Sequence, residues 1–430
     1  MNKTINIAIV GLGQVGSYLL NELNIKKKDI ELKTGKKIKI VAISARNINK
    51  KRKFKINKKI FFKNPLEIFK KVKIDILFEV IGLSDGISKK LVETALIKKI
   101  HVITPNKALI AKHGDYLSKL AEDNKVNLEF EASVAGGIPL LRTIKEGLAT
   151  NRISKVYGIL NGTSNYILSE MENSNDTFKN VLNKAQNLGY AEPGNPQLDL
   201  NGADAFAKVR ILSSLSFNTK ISKHKCLMEG IEKIELKDIK IANQLNLRIK
   251  LLGISELINN QLFETVHPCL VSKKSYIGNV RGVMNAVILL GKPVGESVLQ
   301  GQGAGAGPTS SSLLSDLLSI LRGNIKYPFG ISSNKRKSIK CYDVNNYTNS
   351  LYLRFEVKDK PGVLSEITNR LAKYKISIKR IIQTPDKKNN KATIVIITYK
   401  TSELNSSSCL SIFKKNKNIL KLPILIRLYN

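Results

Sequence analysis

The 430-residue sequence lacks tryptophan and contains only four cysteines and four histidines. The cysteines lie far apart, without the Cys-x-x-Cys spacing of zinc sites, which indicates free thiols in a reducing compartment rather than a disulfide framework. The histidines are equally scattered, so neither a histidine metal site nor a Ser-His-Asp triad is expected. No apolar run reaches the roughly 20 residues of a membrane-spanning helix, and the N-terminus lacks a secretory-signal pattern. These shortages predict a cytoplasmic protein with no membrane partner.

Acidic residues are also few: 34 stand against 71 basic residues, which gives a net charge of +37. Such a surplus is typical of nucleic-acid-binding proteins. However, 58 of the basic residues are lysines spread along the whole chain, whereas phosphate-reading surfaces concentrate arginine and aromatic side chains. We therefore attribute the charge to overall composition and expect no nucleic-acid partner. Weak polyanion binding stays open for the lysine-rich residues 50–59.

Hydrophobic patterning divides the chain into an N-terminal α/β part, a mixed α+β part and a short C-terminal unit. In the N-terminal part strand and helix patterns alternate, which predicts a doubly wound parallel sheet. Its strands are expected at residues 4–10, 38–43, 74–80 and 101–103. From about residue 140, helical patterns such as 140–150 are interleaved with strand patterns. The polar residues 331–348 predict a linker before a final β-α-β-β unit.

The first predicted strand leads into a Gly-x-Gly-x-x-Gly motif that opens a helix, made of Gly11, Leu12, Gly13, Gln14, Val15 and Gly16. In this motif Gly11 permits a tight turn, Gly13 lets the backbone approach a pyrophosphate, and Gly16 allows close packing of helix on strand. The free N–H groups of the first helical turn attract phosphate. The motif therefore predicts a dinucleotide cofactor bound at residues 11–16.

The end of the second predicted strand bears on which dinucleotide is bound. An NAD site usually has a carboxylate there that binds the ribose hydroxyls, but Arg46 follows this strand and no acidic residue is near. An arginine can pair with a 2′-phosphate. The sequence favours NADP(H). NAD(H) stays open as an alternative. Arg46 could be a solvated surface charge, and the lysines of residues 50–59 make Arg46 a weaker indicator of the cofactor preference.

Residues 185–208, AQNLGYAEPGNPQLDLNGADAFAK, concentrate candidate catalytic side chains. Asp204 and Lys208 are spaced i, i+4 on one helical face, which by itself could be a surface salt bridge. The run as a whole resembles the signature of the homoserine dehydrogenase family. These enzymes interconvert L-aspartate 4-semialdehyde and L-homoserine with NAD(P), in the biosynthesis of threonine, methionine and isoleucine.

Further blocks are similar to the same family: TPNKA at 104–108, EASVAGGIP at 131–139, NGTSNY at 161–166, VHPCLV at 266–271, RGVMNAV at 281–287 and GQGAGAGPT at 301–309. The resemblance implies that Lys208 is the proton donor and that Asp204 holds this lysine or the substrate's ammonium group. It implies that Lys107 lies near both the carbonyl and the nicotinamide. It also implies substrate contacts from Glu192 and Asp199, cofactor contacts from Gly189 and Gly303, and a sodium ion bound by oxygens, mostly backbone carbonyls, of Glu131, Val134, Gly136 and Ile138.

Residues 351–383 resemble the start of an ACT domain, a ferredoxin-like unit that usually pairs and binds an amino acid at its interface. Asp359 is placed to cap the first helix of this unit. The resemblance implies regulation by an amino acid such as threonine, with a role in assembly alone left open, and a homodimer or homotetramer. No kinase-like segment precedes the glycine motif, so we expect the stand-alone form of the enzyme.

These inferences set the expected domain boundaries. We place a Rossmann-type NAD(P)-binding domain at residues 1–135, a catalytic and dimerisation domain at 136–325, a linker at 326–349 and the ACT domain at 350–430.

Two other functions are weighed against this one. An aldehyde dehydrogenase working through a thiohemiacetal needs an activated cysteine, and only Cys269, near His267, has a candidate activating neighbour. A non-catalytic amino-acid sensor would need only the C-terminal unit. The presence of Lys107, Glu192, Asp204 and Lys208 argues against such a sensor.

Overall fold

A computed structural model of the chain describes residues 4–52, 54, 56–192, 194–386, 389–414 and 416–429. Lys53 and Lys55 of the lysine-rich segment lie outside the described residues. The strands are β1 Thr4–Val10, β2 Lys37–Ser44, β3 Phe61–Phe62, β4 Ile76–Glu79, β5 His101–Ile103, β6 Leu128–Glu129, β7 Arg152–Ile159, β8 Leu227–Met228, β9 Leu247–Ile258, β10 Gln261–Ser272, β11 Met284–Lys292, β12 Gly295–Gln302, β13 Thr348–Lys358, β14 Ile378–Asp386, β15 Lys391–Thr398, β16 Thr401–Ser402 and β17 Ile424–Tyr429.

The helices alternate with the strands in the N-terminal part and are interspersed among them afterwards. They are α1 Gln14–Ile25, α2 Lys27–Thr34, α3 Ile68–Lys71, α4 Ile87–Ile97, α5 Lys107–Asp123, α6 Leu140–Arg142, α7 Gly162–Ser174, α8 Phe178–Asn187, α9 Gln197–Leu200, α10 Ala203–Ser216, α11 Leu236–Gln244, α12 Tyr276–Asn279, α13 Ala306–Leu321, α14 Val363–Lys373 and α15 Glu403–Phe413. No helix of the described residues is long and apolar enough to cross a membrane.

The first sheet is parallel, with the order β3-β2-β1-β4-β5-β6. Ile7, Ala8 and Ile9 in β1 are completely buried, as expected for a parallel strand covered by helices on both faces. The chain reverses its direction of winding between β1 and β4, and ligands of such sheets bind at the carboxyl ends of these strands. The predicted Rossmann-type fold is confirmed.

A helix from much later in the chain completes this first layer. Leu313 and Leu317 of α13 share one buried apolar cluster with Leu19 and Leu23 of α1. Helix α13 therefore covers one face of the first sheet. This packing joins the two parts of the chain side by side.

The second sheet runs through both the central part and the C-terminal unit, in the order β12-β11-β7-β9-β10-β17-β13-β15-β14. The junction is the parallel pairing of β10 with β17, in which Cys269 lies opposite Arg427. The C-terminal strands β17, β13, β15 and β14, with α14 and α15, form the ferredoxin-like arrangement expected of an ACT domain. The two units therefore share one continuous sheet.

The structure differs from the sequence-based expectations in two places. Only residues Leu140–Arg142 of the predicted helix 140–150 are α-helical, and a π-helical turn follows at Thr143–Gly147. Asp359 does not cap α14, because this helix begins after Gly362 and has no side-chain cap. Within the polar stretch predicted to be a linker, the buried Arg336 stacks on Phe329, 3.9 Å from its ring centroid.

Candidate active site

Two helices from different domains bring the predicted catalytic side chains together. Lys107 is the first residue of α5, and Asp204 and Lys208 lie one turn apart on α10, which packs against α5. Asp204 bridges the two lysines, because Lys107 Nζ is 2.7 Å from its Oδ1 and Lys208 Nζ is 2.6 Å from its Oδ2. Lys208 Nζ also donates to the Leu160 carbonyl over 2.6 Å. The structure thus places Lys107, Asp204 and Lys208 in one cluster between the domains.

The surroundings give the two lysines different acidities. Burial lowers the pKa of Lys208, and although Asp204 opposes this, the nearby charge of Lys107 adds to it, so that the net shift is downward. Burial also acts to lower the pKa of Lys107, but the carboxylates of Asp204 and Asp199 outweigh it and raise the value. The Lys107 side chain is 43% exposed. Lys208 is therefore the lysine that releases a proton more readily.

Asp204 itself is held in the charged form. Burial raises the pKa of its carboxyl group, but the ammonium groups of Lys208 and Lys107 lower it well below the usual range. A buried carboxylate that stays ionised between two cations keeps them in place without taking up a proton.

Asp199 lies beside the cluster and is oriented by a neutral donor. Asn161 Nδ2 donates to Asp199 Oδ1 over 2.7 Å and lies 2.9 Å from Asp204 Oδ2. Thr163 Oγ1 lies 3.2 Å from Asp199 Oδ2, but it donates its single proton to the Tyr190 carbonyl oxygen over 2.6 Å. Burial and the charge of Asp204 raise the pKa of Asp199. Within the described chain Asp199 has no ion-pair partner, so this carboxylate can accept a ligand cation.

Sequence reasoning assigned no role to Asn161 or Thr163. The local signal was present, because Asn161 caps α7 by accepting from the Ser164 N–H over 2.8 Å, as asparagine commonly does. Its contact with Asp199 spans 38 positions and has no local signature.

The structure does not bring Glu192 and Gly189 into this cluster. Glu192 is exposed, and none of the hydrogen bonds or ion pairs of the described residues joins its carboxylate to Lys107, Asp204 or Lys208. Gly189 follows α8 with a φ of +74°. It is not among the residues that line the dinucleotide cleft described next.

A cleft of about 760 Å³ opens at the carboxyl ends of β1, β2 and β4, and Gly11, Leu12 and Gly13 form part of its wall. A Cβ on Gly11 would lie 2.3 Å from the Val80 carbonyl oxygen, and one on Gly16 would lie 1.9 Å from the Gly11 carbonyl oxygen. A Cβ on Gly13, in contrast, would meet nothing within 4 Å. Helix α1, which opens with Gln14 and Val15, has no side-chain cap. This open, uncapped helix start fits a pyrophosphate.

Four cations and no carboxylate line the rest of this cleft: Arg46, Lys50, Arg52 and Lys63. Arg46 is exposed. Sequence reasoning missed Arg52, whose guanidinium donates to the carbonyls of Asn47 over 2.7 Å and of Leu12 over 3.1 Å. Arg52 therefore fastens the loop after β2 to the glycine turn.

Glu79 is a second residue that sequence reasoning missed. It is fully buried at the end of β4 and accepts hydrogen bonds from Thr104 Oγ1 at 2.7 Å and Asn106 Nδ2 at 3.3 Å. Asn106 caps α5. Glu79 thereby fixes the turn from which Lys107 starts.

The glycine-rich turn predicted to bind sodium packs against the loop that contains Gly303. A Cβ on Gly136 would lie 2.5 Å from the Gly303 carbonyl oxygen. The carboxylate of Glu131 is engaged by the N–H groups of Leu141 and Arg142, at 2.9 and 2.8 Å. The main-chain oxygens of the turn are the other candidate ligands.

Carbonyl oxygens of this turn already accept hydrogen bonds, that of Gly136 from Ser312 Oγ at 2.6 Å and that of Ile138 from the Leu140 N–H at 2.7 Å. A carbonyl oxygen has two lone pairs, so each keeps one for a cation. An oxygen-only donor set, with Val134 as a further member, fits a hard cation such as sodium.

Comparison with known proteins yields one family along the whole chain. A family model for the homoserine dehydrogenase NAD-binding domain matches residues 11–131, one for homoserine dehydrogenase matches 139–318, and one for the ACT domain matches 351–417. The homoserine dehydrogenase of Neisseria gonorrhoeae is 37% identical over 95% of each chain, and that of Helicobacter pylori is 36% identical over 100% of each. A crystal structure of a homoserine dehydrogenase from Thiobacillus denitrificans superposes with a TM-score of 0.90 at 33% identity, over 100% of this chain and 99% of that one.

Proposed function

Since the chain belongs to the homoserine dehydrogenase family, we propose that it performs the family's reaction at the cluster of Lys208, Asp204 and Lys107. The reaction is the reversible reduction of L-aspartate 4-semialdehyde to L-homoserine, and the protein is an oxidoreductase that uses a nicotinamide dinucleotide. The observation that carries the assignment of the site is the Asp204 carboxylate, which bridges two lysines supplied by two domains.

A reduced nicotinamide bound in the cleft would supply a hydride to the aldehyde carbon. Lys208 Nζ gives a proton to the carbonyl oxygen as negative charge develops there, and its lowered pKa suits it to proton transfer. Its ammonium group stabilises the developing alkoxide before the proton moves. By the family resemblance Lys107 would add positive charge near the nicotinamide, and Asp204 keeps both ammonium groups in place.

Asp199 is our candidate for binding the substrate's ammonium group. Its carboxylate is oriented by Asn161, and burial beside Asp204 raises its pKa. An ammonium group placed there would relieve this unfavourable environment. Glu192 stays a prediction from the family resemblance, because its exposed carboxylate makes no contact with the cluster.

We propose that NADP(H) is preferred over NAD(H). The cleft wall beyond β2 carries Arg46, Lys50 and Lys63 and no carboxylate. Since Arg52 is used to hold the loop, the other three cations are available for a 2′-phosphate. Gly13 and the first turn of α1 would contact the pyrophosphate, and Gly303 would approach from the opposite loop.

Three further parts of the proposal rest mainly on the family resemblance. Carbonyl oxygens of the turn containing Gly136 would bind sodium, which would hold this turn against the Gly303 loop. The C-terminal unit would bind an amino acid such as threonine, and the chain would form a homodimer or homotetramer. We also propose a cytoplasmic location, which the four free thiols support.

The experiment that tests the function is to follow the absorbance of the reduced nicotinamide when L-aspartate 4-semialdehyde is added to the folded protein. Oxidation of NADPH or NADH that depends on the semialdehyde is expected. No oxidation of either cofactor by folded protein would contradict the proposal and favour the amino-acid sensor. For cofactor choice, Arg46→Glu should raise the KM for NADPH more than that for NADH. The same change at the exposed Arg380 on β14 serves as the control.

A further inference from the structure

The structure connects the C-terminal unit to the proposed active site through a short segment. Residues 229–232, here called the 229–232 segment, follow β8 and lie between β17 of the C-terminal unit and α9, which carries Asp199. Each side of this segment makes specific contacts.

On the side of the C-terminal unit, the contact is a buried arginine. The side chain of Arg427 on β17 is 3% exposed and donates to both oxygens of Glu229, over 2.8 and 3.2 Å. The same guanidinium is held within its own unit by Glu403, at 2.5 and 2.8 Å. Paired, bidentate contacts of this kind fix the direction of an arginine. Glu229 is therefore held at a defined position relative to β17.

On the side of the active site, the segment packs directly on the backbone next to Asp199. The Ile231 N–H donates to the Leu200 carbonyl over 2.9 Å. Gly230 lies so close that a Cβ there would be 2.0 Å from the Leu200 carbonyl oxygen and 2.5 Å from the Asn201 Cα. A displacement of Gly230 or Ile231 would therefore press on the peptide that follows Asp199.

From these contacts we propose that Arg427 is a positioning residue for Asp199, acting through Glu229 and the 229–232 segment. The proposal rests on the function proposed above, in which Asp199 binds the substrate's ammonium group. It assigns the C-terminal unit an effect on substrate binding. It assigns no effect on the dinucleotide, whose cleft is lined by other residues.

The main test variant is Glu229→Gln, because removing Arg427 would leave Glu403 buried without its partner and could prevent folding. Its matched control is Glu366→Gln, which breaks a partly exposed ion pair with Arg370 inside the C-terminal unit. A second variant, Gly230→Ala, displaces α9 sterically. Its control is Gly147→Ala, where a Cβ meets nothing within 4 Å.

Steady-state kinetics with L-homoserine should show a rise in its KM of about two- to thirtyfold in Glu229→Gln and Gly230→Ala, as couplings through packed networks usually give. The KM for the dinucleotide should stay within about twofold of wild type, and both controls should match wild type. In an Asp199→Asn background, Glu229→Gln should raise the KM no further, because its effect acts through Asp199.

Two results would overturn the proposal. One is an unchanged KM for L-homoserine in both variants, and the other is an equal rise in the KM values for L-homoserine and dinucleotide, which would indicate general loosening. A wild-type protein that shows no activity with either cofactor would instead contradict the proposed function. The two failures are thus distinguished by the wild-type measurement.

Discussion

Side chains of the same kind behave differently in this protein because their surroundings differ. Lys107 and Lys208 both contact Asp204. Lys107 is partly exposed and its pKa is raised, whereas Lys208 is buried and its pKa is lowered. The balance between burial and a shared counter-ion therefore separates a lysine that stays charged from one that can exchange a proton.

Lys208→Ala should lower kcat by about 10²- to 10⁴-fold, as loss of a general acid usually does, and leave the KM for the dinucleotide nearly unchanged. In the reductive direction wild-type kcat should fall as pH rises through the pKa of Lys208, below the ordinary lysine value of 10.5, because only the protonated amine can donate. Measuring kcat against pH checks both points. Lys184→Ala, at an exposed ion pair with Glu170, is the control. Turnover of Lys208→Ala within a few-fold of wild type would refute the assignment.

Lys250 on β9 is a buried lysine outside the proposed mechanism. Burial, with the charges of Arg281 and Arg248, lowers its pKa to about 7, whereas an unfolded lysine titrates near 10.4. Between these pH values the unfolded chain binds the extra proton, so this residue makes stability rise with pH across the interval. Below this pH interval Lys250 is protonated in both the folded and the unfolded state, and the folded state bears the full cost of burying the charged amine.

Lys250→Met should therefore change stability differently at different pH. The free energy of unfolding of the variant, minus that of wild type, should be larger at pH 7 than at pH 10. The reason is that only wild type bears the cost of the low pKa of the buried amine, and this cost is larger at pH 7. Urea unfolding of both proteins at several pH values measures this difference. Lys274→Met, at an exposed position, should show no such trend. A wild-type-minus-variant difference that is constant with pH would refute the interpretation.

Among the structural elements, the turn from β1 into α1 combines two requirements. Gly11 and Gly16 are needed for the fold, since any side chain there would collide with the backbone of Val80 or Gly11. Gly13 borders open space in the cleft, so its lack of a side chain serves the ligand. The fold therefore requires glycine at positions 11 and 16, whereas the ligand requires it at position 13.

Gly16→Ala and Gly13→Ala should accordingly fail in different ways. Gly16→Ala should lower the melting temperature clearly, because its Cβ would lie 1.9 Å from the Gly11 carbonyl oxygen. Gly13→Ala should keep the wild-type melting temperature and bind NADPH more weakly. Thermal unfolding together with NADPH titration separates the two cases. Equal loss of stability in both variants would contradict this division of roles.

Across the whole molecule, the C-terminal unit is joined to the central part by more than the pairing of β10 with β17. The buried Arg354 on β13 donates to both oxygens of Asp238 on α11, over 2.6 and 3.0 Å, and Tyr352 donates to the same carboxylate over 2.8 Å. A buried, bidentate ion pair that spans two units fixes how they are oriented. The two units are therefore expected to unfold together.

Arg354→Leu should destabilise the protein by about 3–5 kcal/mol, because it leaves the Asp238 carboxylate buried without its cation. Arg370→Leu removes an arginine from a partly exposed pair with Glu366 and should cost less than about 1 kcal/mol. Urea unfolding followed by circular dichroism compares the two variants. Similar small losses would show that the interface does not depend on the buried pair.

The parts of this protein that depend on local sequence could be predicted from the sequence alone. The alternation of strands and helices, the glycine turn and the segment ending in Lys208 are encoded within a few tens of neighbouring residues. The i, i+4 spacing of Asp204 and Lys208 already placed them on one helical face, and the cluster with Lys107 followed from the family resemblance. The expected Rossmann-type and ACT folds were confirmed.

Other features depend on contacts between distant parts of the chain, which leave no periodic signal. Asn161 reaches Asp199 across 38 positions, and Arg52 reaches the Leu12 carbonyl across 40. The exposed position of Glu192 and the packing of α13 on α1 likewise depend on how whole elements come together. The same holds for Arg427, whose link to Glu229 spans 198 positions. Local propensity governs which elements form, whereas burial and charge pairing after assembly govern which side chains meet.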